Sequence, residues 1–397
     1  MSLLIQGANI FDGRAVLPGL WDVQITGDKI EQILSSRESG YTGFEGEIIE
    51  AKGAWLIPGL IDLHVHLTWN GGKDPATDIS ISGKEENLLE TVANTLRYLP
   101  HGITSVRDLG SPDDASIYVG KATAGGQLTG PRIFTSGKSL IMTGGHDPFH
   151  GLPVDGPWEA LKGVRTQVAK GAQVIKISAT GGVYGRETGE GVDDTELRQD
   201  ELDMIIQEAH RRNVPVTAHA IGEKGIRSCL AAGIDCIEHG HYIRQDMAET
   251  MSKQGTAHVP TFFVYQHLAN GSDIPVYARN KAAQVLHHHR QAITNSYTAG
   301  VLIGAGSDAG SPMVPHPALF EELLALSDTD LPPSYVLSTA TANAGEILGL
   351  KDRLGVIKAG ALADCILVSE NPVVTLQTLC RPQLVVLNGR VIYRSDV

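Results

Sequence analysis

The sequence predicts an α/β fold: a (β/α)8 TIM barrel with a small β-sandwich domain formed by both termini. Three observations carry this. Residues 57–351 alternate apolar strand patterns with helical ones, as a barrel of this length requires. Residues 1–56 and 352–397 instead hold closely spaced strand patterns broken by turn residues, with no helix of useful length. Glycine is abundant, at 45 of 397 residues, which suits many tight connections. A doubly wound open sheet is the alternative for the central region.

At the N-terminus, residues 4–10, 21–25 and 29–33 read as strands, with Asp12-Gly13, Pro18-Gly19 and Gly27-Asp28 as the turns between them. Residues 363–368 and 383–393 return to that texture, and Asn388-Gly389 inside the second marks a hairpin. The simplest arrangement joins both ends in one β domain. In the centre, the apolar run 56–66 and residues 102–108, 174–178, 214–219, 231–239 and 301–308 read as strands, and 201–213 as a helix.

A net charge of −13 with no Lys/Arg-rich tract makes nucleic acid an unexpected partner. Cys229, Cys236, Cys365 and Cys380 form no CxxC pair and read as reduced, buried thiols. The first residues, Met1-Ser2-Leu3-Leu4-Ile5, lack the layout of a signal peptide, and no apolar run reaches membrane-spanning length. A cytoplasmic enzyme acting on a small molecule, with no membrane partner, is expected, and homo-oligomers are common among such proteins.

The chemistry gathers at strand ends. In the apolar run ending Asp62-Leu63-His64-Val65-His66, strand alternation projects His64 and His66 from one face, close enough to hold one metal ion. Two core histidines satisfied by neighbours are the plainer reading. The other proposed strands end in Lys176, His219, His239 and Asp308. In a barrel these ends converge at one face, and imidazole and carboxylate are standard zinc ligands. Lys176 lies between Ile175 and Ile177, so it faces away from both. It is either a buried lysine paired with a carboxylate or an amine neutralised by burial and nearby cations. A neutral amine adds carbon dioxide to form a carbamate, a two-oxygen ligand able to bridge two metals. Asp308, between Ser307 and Ala309, reads alone as a turn or cap residue, and in company as a ligand and proton carrier.

This set resembles the amidohydrolase superfamily. His64-x-His66, Lys176, His219, His239 within Glu238-His239-Gly240, and Asp308 match it in order and placement. Asn343 to Leu350, Gly355-x-Ile357-x-x-Gly360, Ala363-Asp364 and Val386-x-x-Asn388-Gly389 look like its return to the β domain. Lys176 is similar to the bridging lysine of the subtype with two divalent metals, usually zinc, and N-carboxylated lysine. Met142-Thr143-Gly144-Gly145-His146 resembles the imidazolonepropionase-related branch that includes Xaa-Pro dipeptidases, in which a histidine at the His146 position approaches the scissile carbonyl. The resemblance implies that His64, His66 and Asp308 hold one ion, that His219 and His239 hold the other, and that carboxylated Lys176 bridges them. Two departures bear on substrate. Where some dipeptidase relatives carry a tyrosine after the fifth-strand histidine, this chain reads His219-Ala220-Ile221-Gly222. Deaminases place a glutamate where Gly222 stands.

The expected activity is metal-dependent cleavage of an amide or peptide C–N bond by a metal-bridging hydroxide, as in a dipeptidase or an N-acyl amino acid hydrolase. Asp308 would shuttle the proton and His146 would hold the oxyanion. His146 sits among glycines, so dense packing around its ring is not expected. Tyr184 and Arg186, in a glycine-rich loop, are candidate substrate contacts, Arg186 for a carboxylate. His241 and Tyr242 are candidates for the pocket wall. His287-His288-His289 reads as a solvated helix face, and His316 as a loop residue near the site mouth. A cyclic amide, lactam or ester hydrolase is the alternative. A mononuclear deaminase or a non-catalytic scaffold stands further off, the scaffold having no need for an intact ligand set.

Overall fold

The computed structural model describes residues 2–37, 44–184, 187 and 189–395. The chain forms two compact units: Met1–Asp62, Leu96–Ser105 and Leu331–Val397 make the first, and Leu63–Thr95 and Val106–Asp330 the second.

The first unit carries an eight-stranded sheet assembled from both ends of the chain. The strand Ser2–Phe11 is its hub, antiparallel to Val16–Thr26 and parallel to Glu47–Glu50 and Trp55–Pro58. Trp55–Pro58 pairs antiparallel with Cys365–Val368, which stitches the terminal segments together. Alternation along these strands packs Leu3, Ile5, Ile10, Val23, Ile25, Leu367 and Val386 into one apolar cluster. Asn388 and Gly389 both take left-handed backbone, φ 52° and 69°, as the tight turn from Leu384–Leu387 to Arg390–Arg394 requires.

In the second unit, Ile175–Ser178, Val216–Ala220, Cys236–His239 and Ala257–Val259 pair in that order, all parallel. Leu60–Val65, Ile103–Asp108 and Arg132–Thr135 form a separate three-stranded sheet in that order. Backbone bonds join the two. The Gln173 amide donates to the Thr135 carbonyl at 2.9 Å. On the far side, the His258 amide donates to Leu302 and the Leu63 amide to Ala305, at 2.9 and 3.0 Å. Closure excludes the open doubly wound sheet and establishes the (β/α)8 barrel.

Three sequence expectations about the strands need correction, the first being Pro18-Gly19, which lies inside the strand Val16–Thr26 rather than in a turn. Residues 301–308 close the barrel without forming a regular strand: Ile303 bridges His258 and Ala309 bridges Val65, with Gly304 and Gly306 between. Residues 231–232 end the helix Glu223–Ala232 rather than begin a strand. Gly233, at φ 85°, terminates that helix before Cys236–His239.

Ile175, Ile177, Val216, Ala218 and Ile237 pack with Ile205, Ile206, Ile226 and Leu230 of the surrounding helices. Burying each of the larger of these side chains, isoleucine, valine or leucine, is worth roughly 1.5–3 kcal/mol. Alternation leaves Lys176, Thr217, His219 and Glu238 on the opposite strand face, buried as well. A buried polar face holds only where its groups find partners. Cys229, Cys236 and Cys365 are buried as expected, whereas Cys380 is exposed. His289 is fully buried and His287 exposed, so the triple histidine is not one solvated face: consecutive helical residues point in different directions. Among the described residues no helix is long and apolar enough to cross a membrane.

Candidate active site

One cleft of about 460 Å³, open to solvent, is lined by His64, His66, His146, Lys176, His219, His239 and Asp308 together with Trp69, Asp147, Tyr184 and Tyr265. Every residue expected to hold metal therefore reaches it. Strand alternation explains His64, His66, Lys176 and His219. It does not explain His239, which follows an inward-facing Glu238. His239 has φ 68°, and this left-handed turn swings its ring toward the others, 5.2 Å from His64 and 4.5 Å from His219 between centroids. Asp308 is likewise left-handed, at φ 56°. Its carboxylate lies 3.5 Å from His64 Nε2 and 3.4 Å from His66 Nε2. Gly306 makes room here, since a Cβ on it would lie 2.7 Å from that of His64.

Partners fix the rings. His64 Nδ1 donates to Glu238 Oε2 at 2.8 Å. The other oxygen of Glu238 accepts from Arg107, at 2.6 Å, and from the Thr217 hydroxyl. His66 Nδ1 donates to the Gly110 carbonyl and His219 Nε2 to the Gly181 carbonyl, each at 3.3 Å. A carbonyl only accepts, so His66 Nδ1 and His219 Nε2 carry hydrogens, and His66 Nε2 is left facing Asp308. His239 Nδ1 pairs with Thr261 Oγ1 at 2.8 Å. Behind that ring, His258 Nε2 and His289 Nε2 both donate to the His239 carbonyl, at 3.0 and 2.9 Å.

Burial depresses three of the histidines, whereas on His66 it is outweighed by the hydrogen bond and charge of Asp308, which raise that ring. His64 falls to about 4, with Lys176 adding to the desolvation, and His219 and His239 fall well below their ordinary value. Burial also lowers Lys176, although Glu238 and Asp308 pull the other way. Burial opposes charge on Asp308 and Glu238, but His64 beside both, His66 beside Asp308 and Arg107 beside Glu238 hold each carboxyl well below the usual carboxylate range. The donor set thus consists of three unprotonated imidazoles, His66 paired with Asp308, and the Lys176 amine. Ligand atoms of His64, His239 and Asp308 lie within 4.8 Å of one another. Anchored imidazoles of this kind fit divalent metal.

His146 differs from expectation. Its ring is buried and clamped, with Nδ1 2.6 Å from Glu190 and Nε2 3.1 Å from Asp147. A Cβ on Gly182 would overlap the ring, so glycine permits the packing it was expected to prevent. Burial alone would lower His146, but the charges and hydrogen bonds of Asp147 and Glu190 outweigh it and raise it to about 10. Its backbone amide donates to Glu196, itself pushed up to about 7 chiefly by burial.

Tyr184 lines the cleft with its ring while its hydroxyl donates to Asp74 at 2.5 Å. Arg186 lies outside the described residues. His241 and Tyr242 are not among the cleft residues. His241 is buried against His289 and Tyr265, and the Tyr242 ring lies tilted against His288, 4.4 Å between centroids. His316 donates to the Trp69 carbonyl at 2.9 Å, and Trp69 stacks on His66 at 4.7 Å. Sequence reasoning missed Glu238, Asp147, Glu190, Tyr265 and Trp69. A carboxylate inside the apolar stretch Cys236-Ile237-Glu238 was itself a signal, because an unpaired buried charge is too costly to keep.

Comparison with known proteins agrees with this geometry. The amidohydrolase family model matches residues 55–392, and the chain belongs to that family. The ochratoxinase of Aspergillus niger is 30% identical over 362 residues, spanning 83% of this chain and 73% of that protein. The imidazolonepropionase of Shewanella pealeana is 22% identical over 363 residues, spanning 81% of this chain and 80% of that protein. The crystal structure of a Xaa-Pro dipeptidase with bound methionine in the active site superposes with a TM-score of 0.90 at 28% identity, with all of both chains covered. These likenesses place the chain in the imidazolonepropionase and Xaa-Pro dipeptidase-like branch, as a hydrolase acting on carbon–nitrogen bonds.

Proposed function

We propose that this chain is a binuclear metal-dependent hydrolase of small amides or peptides, acting as a dipeptidase or an N-acyl amino acid hydrolase. The convergence of His64, His66, His219, His239 and Asp308 around buried Lys176 in one cleft carries this reading. The names ochratoxinase and Xaa-Pro dipeptidase borne by its relatives support it. His64, His66 and Asp308 would hold one divalent ion, His219 and His239 a second, and Lys176 would bridge them once N-carboxylated. Zinc is the ion this donor set favours among those it accepts. When bound, such ions lower the pKa of water and polarise a substrate carbonyl.

The chain's own groups supply the rest. Asp308, unprotonated at neutral pH, takes a proton on its carboxylate from the attacking water and later hands it to the departing nitrogen. His146 keeps one hydrogen on Glu190 through Nδ1. Its Nε2–H, now accepted by Asp147, turns its hydrogen bond to the substrate carbonyl oxygen as that oxygen gains charge and keeps its proton throughout. Glu238 and Thr261 keep the His64 and His239 rings from turning.

Metal analysis combined with a panel of N-acyl amino acids, dipeptides and cyclic amides tests the proposal. The expected result is near two equivalents of metal per chain and turnover of acyclic members. Turnover of cyclic members alone favours the lactam or ester reading, and protein that binds no metal overturns the proposal.

A further inference from the structure

Tyr265 stands on the helix Phe262–Asn270, is 3% exposed and lines the cleft. Its placement is over-determined. Thr261, left-handed at φ 49°, starts this helix and pairs through Oγ1 with His239. The amides of Phe262 and Phe263 donate to the buried Glu322 carboxylate at 3.0 and 2.7 Å, an anion at the helix N-terminus. The phenol ring then meets His239 and His241 edge-on, with centroids 5.4 and 4.1 Å away. A ring held on these sides does not swing aside to seek a partner.

A buried tyrosine hydroxyl ordinarily finds a hydrogen-bond partner. Among the described residues this one has none, and its residue opens onto the cleft. At neutral pH a phenol both donates and accepts, and its donor hydrogen is matched by an acceptor on a ligand seated in the cleft. The ring contacts indicate which acceptor. His146, His219, His239 and Tyr265 follow one another at 4.2, 4.5 and 5.4 Å, so a polar donor stands at each end of a row whose middle is the His219–His239 pair. A carbonyl group seated before that pair is reached from either end.

We propose that the Tyr265 hydroxyl donates a hydrogen bond to the acyl oxygen of the bound substrate, as a second substrate-contacting donor alongside His146. The inference rests on the hydrolase reading above. A donor aimed at an oxygen that gains charge strengthens as the carbon becomes tetrahedral, so its contribution falls on kcat more than on KM.

The test is Tyr265→Phe, which keeps the ring and removes only the hydroxyl. The substrate is the N-acyl amino acid or dipeptide that the wild type turns over fastest, and the inhibitor is the N-methylphosphonyl derivative of its leaving amino acid. The expected result is a kcat lower by about 100-fold with KM little changed. The inhibitor's Ki should rise in step, while metal content and melting temperature match the wild type. Kcat and Ki within about twofold of the wild type would overturn the proposal. So would loss of metal or of thermal stability, which would assign the hydroxyl to packing. Wild-type protein inert toward the whole panel defeats the hydrolase reading and this inference together; active wild type matched by the variant defeats this inference alone.

Discussion

Glu238 accepts the Nδ1 hydrogen of His64 at 2.8 Å while its second oxygen takes a hydrogen bond from Arg107 at 2.6 Å. One buried carboxylate thus orients a ring of the cleft and neutralises a buried guanidinium. Glu238→Gln should therefore act on both. Weakening the partner of a metal-binding imidazole lowers affinity about 10–100-fold. Leaving Arg107 as an uncompensated buried charge costs about 3–5 kcal/mol. Metal titration and urea unfolding measure the two effects separately, and an unchanged unfolding midpoint contradicts the pairing.

Asp308→Asn keeps an oxygen ligand but removes the proton acceptor. We expect most of the metal to remain while turnover falls by about 10²–10⁴-fold. Steady-state rates beside metal analysis decide this, and full activity in the variant removes the general-base assignment.

Lys176→Ala should lose the metal pair and recover part of it when a short carboxylic acid such as acetate or propionate is supplied to replace the carbamate. Metal-replete, active Lys176→Ala without that addition contradicts the bridging role. Chelation of the wild type should abolish turnover and lower the melting temperature, because an ion present at 100 times its Kd stabilises the fold by about 2.7 kcal/mol.

Away from the cleft, Glu208 on the helix Gln199–His210 accepts hydrogen bonds from Arg165, Arg212 and Arg211 at 2.8, 2.9 and 3.1 Å. Arg165 and then Arg212 hold its carboxyl down to about 2. The folded pKa lies below the ordinary value of 4.5. The stability it confers is therefore complete above that value and is lost as pH falls toward 2. The melting-temperature gap between wild type and Glu208→Gln should be widest near neutrality and narrow between pH 4.5 and the acid limit. A gap that widens on acidification contradicts this sign.

The barrel was legible because its signals are local: apolar runs of strand length alternate with helical ones, and the ligand candidates sit at the ends of those runs. His64, His66, Lys176 and His219 follow from period two alone. His239 and Asp308 were found as residue types at strand ends, yet only their left-handed φ values aim them into the cleft, and no sequence periodicity encodes that. The residues that were missed depend on long-range pairing. Arg107 and Glu238 are 131 positions apart, and His146 and Glu190 are 44 apart. Which of three successive histidines is buried depends on what packs against the helix Val276–Thr298, so His289 was unreadable from its own neighbourhood.

The two imidazoles behind His239 have one more consequence. His258 and His289 each spend their Nε2 hydrogen on the same main-chain oxygen, and burial holds them at about 4 and 3. Across about pH 5 to 9 this backing layer neither gains nor sheds protons. A bend in the rate–pH curve within that span therefore does not originate in His258 or His289, and the layer behind His239 holds its charge while buried Glu196, at about 7, titrates elsewhere.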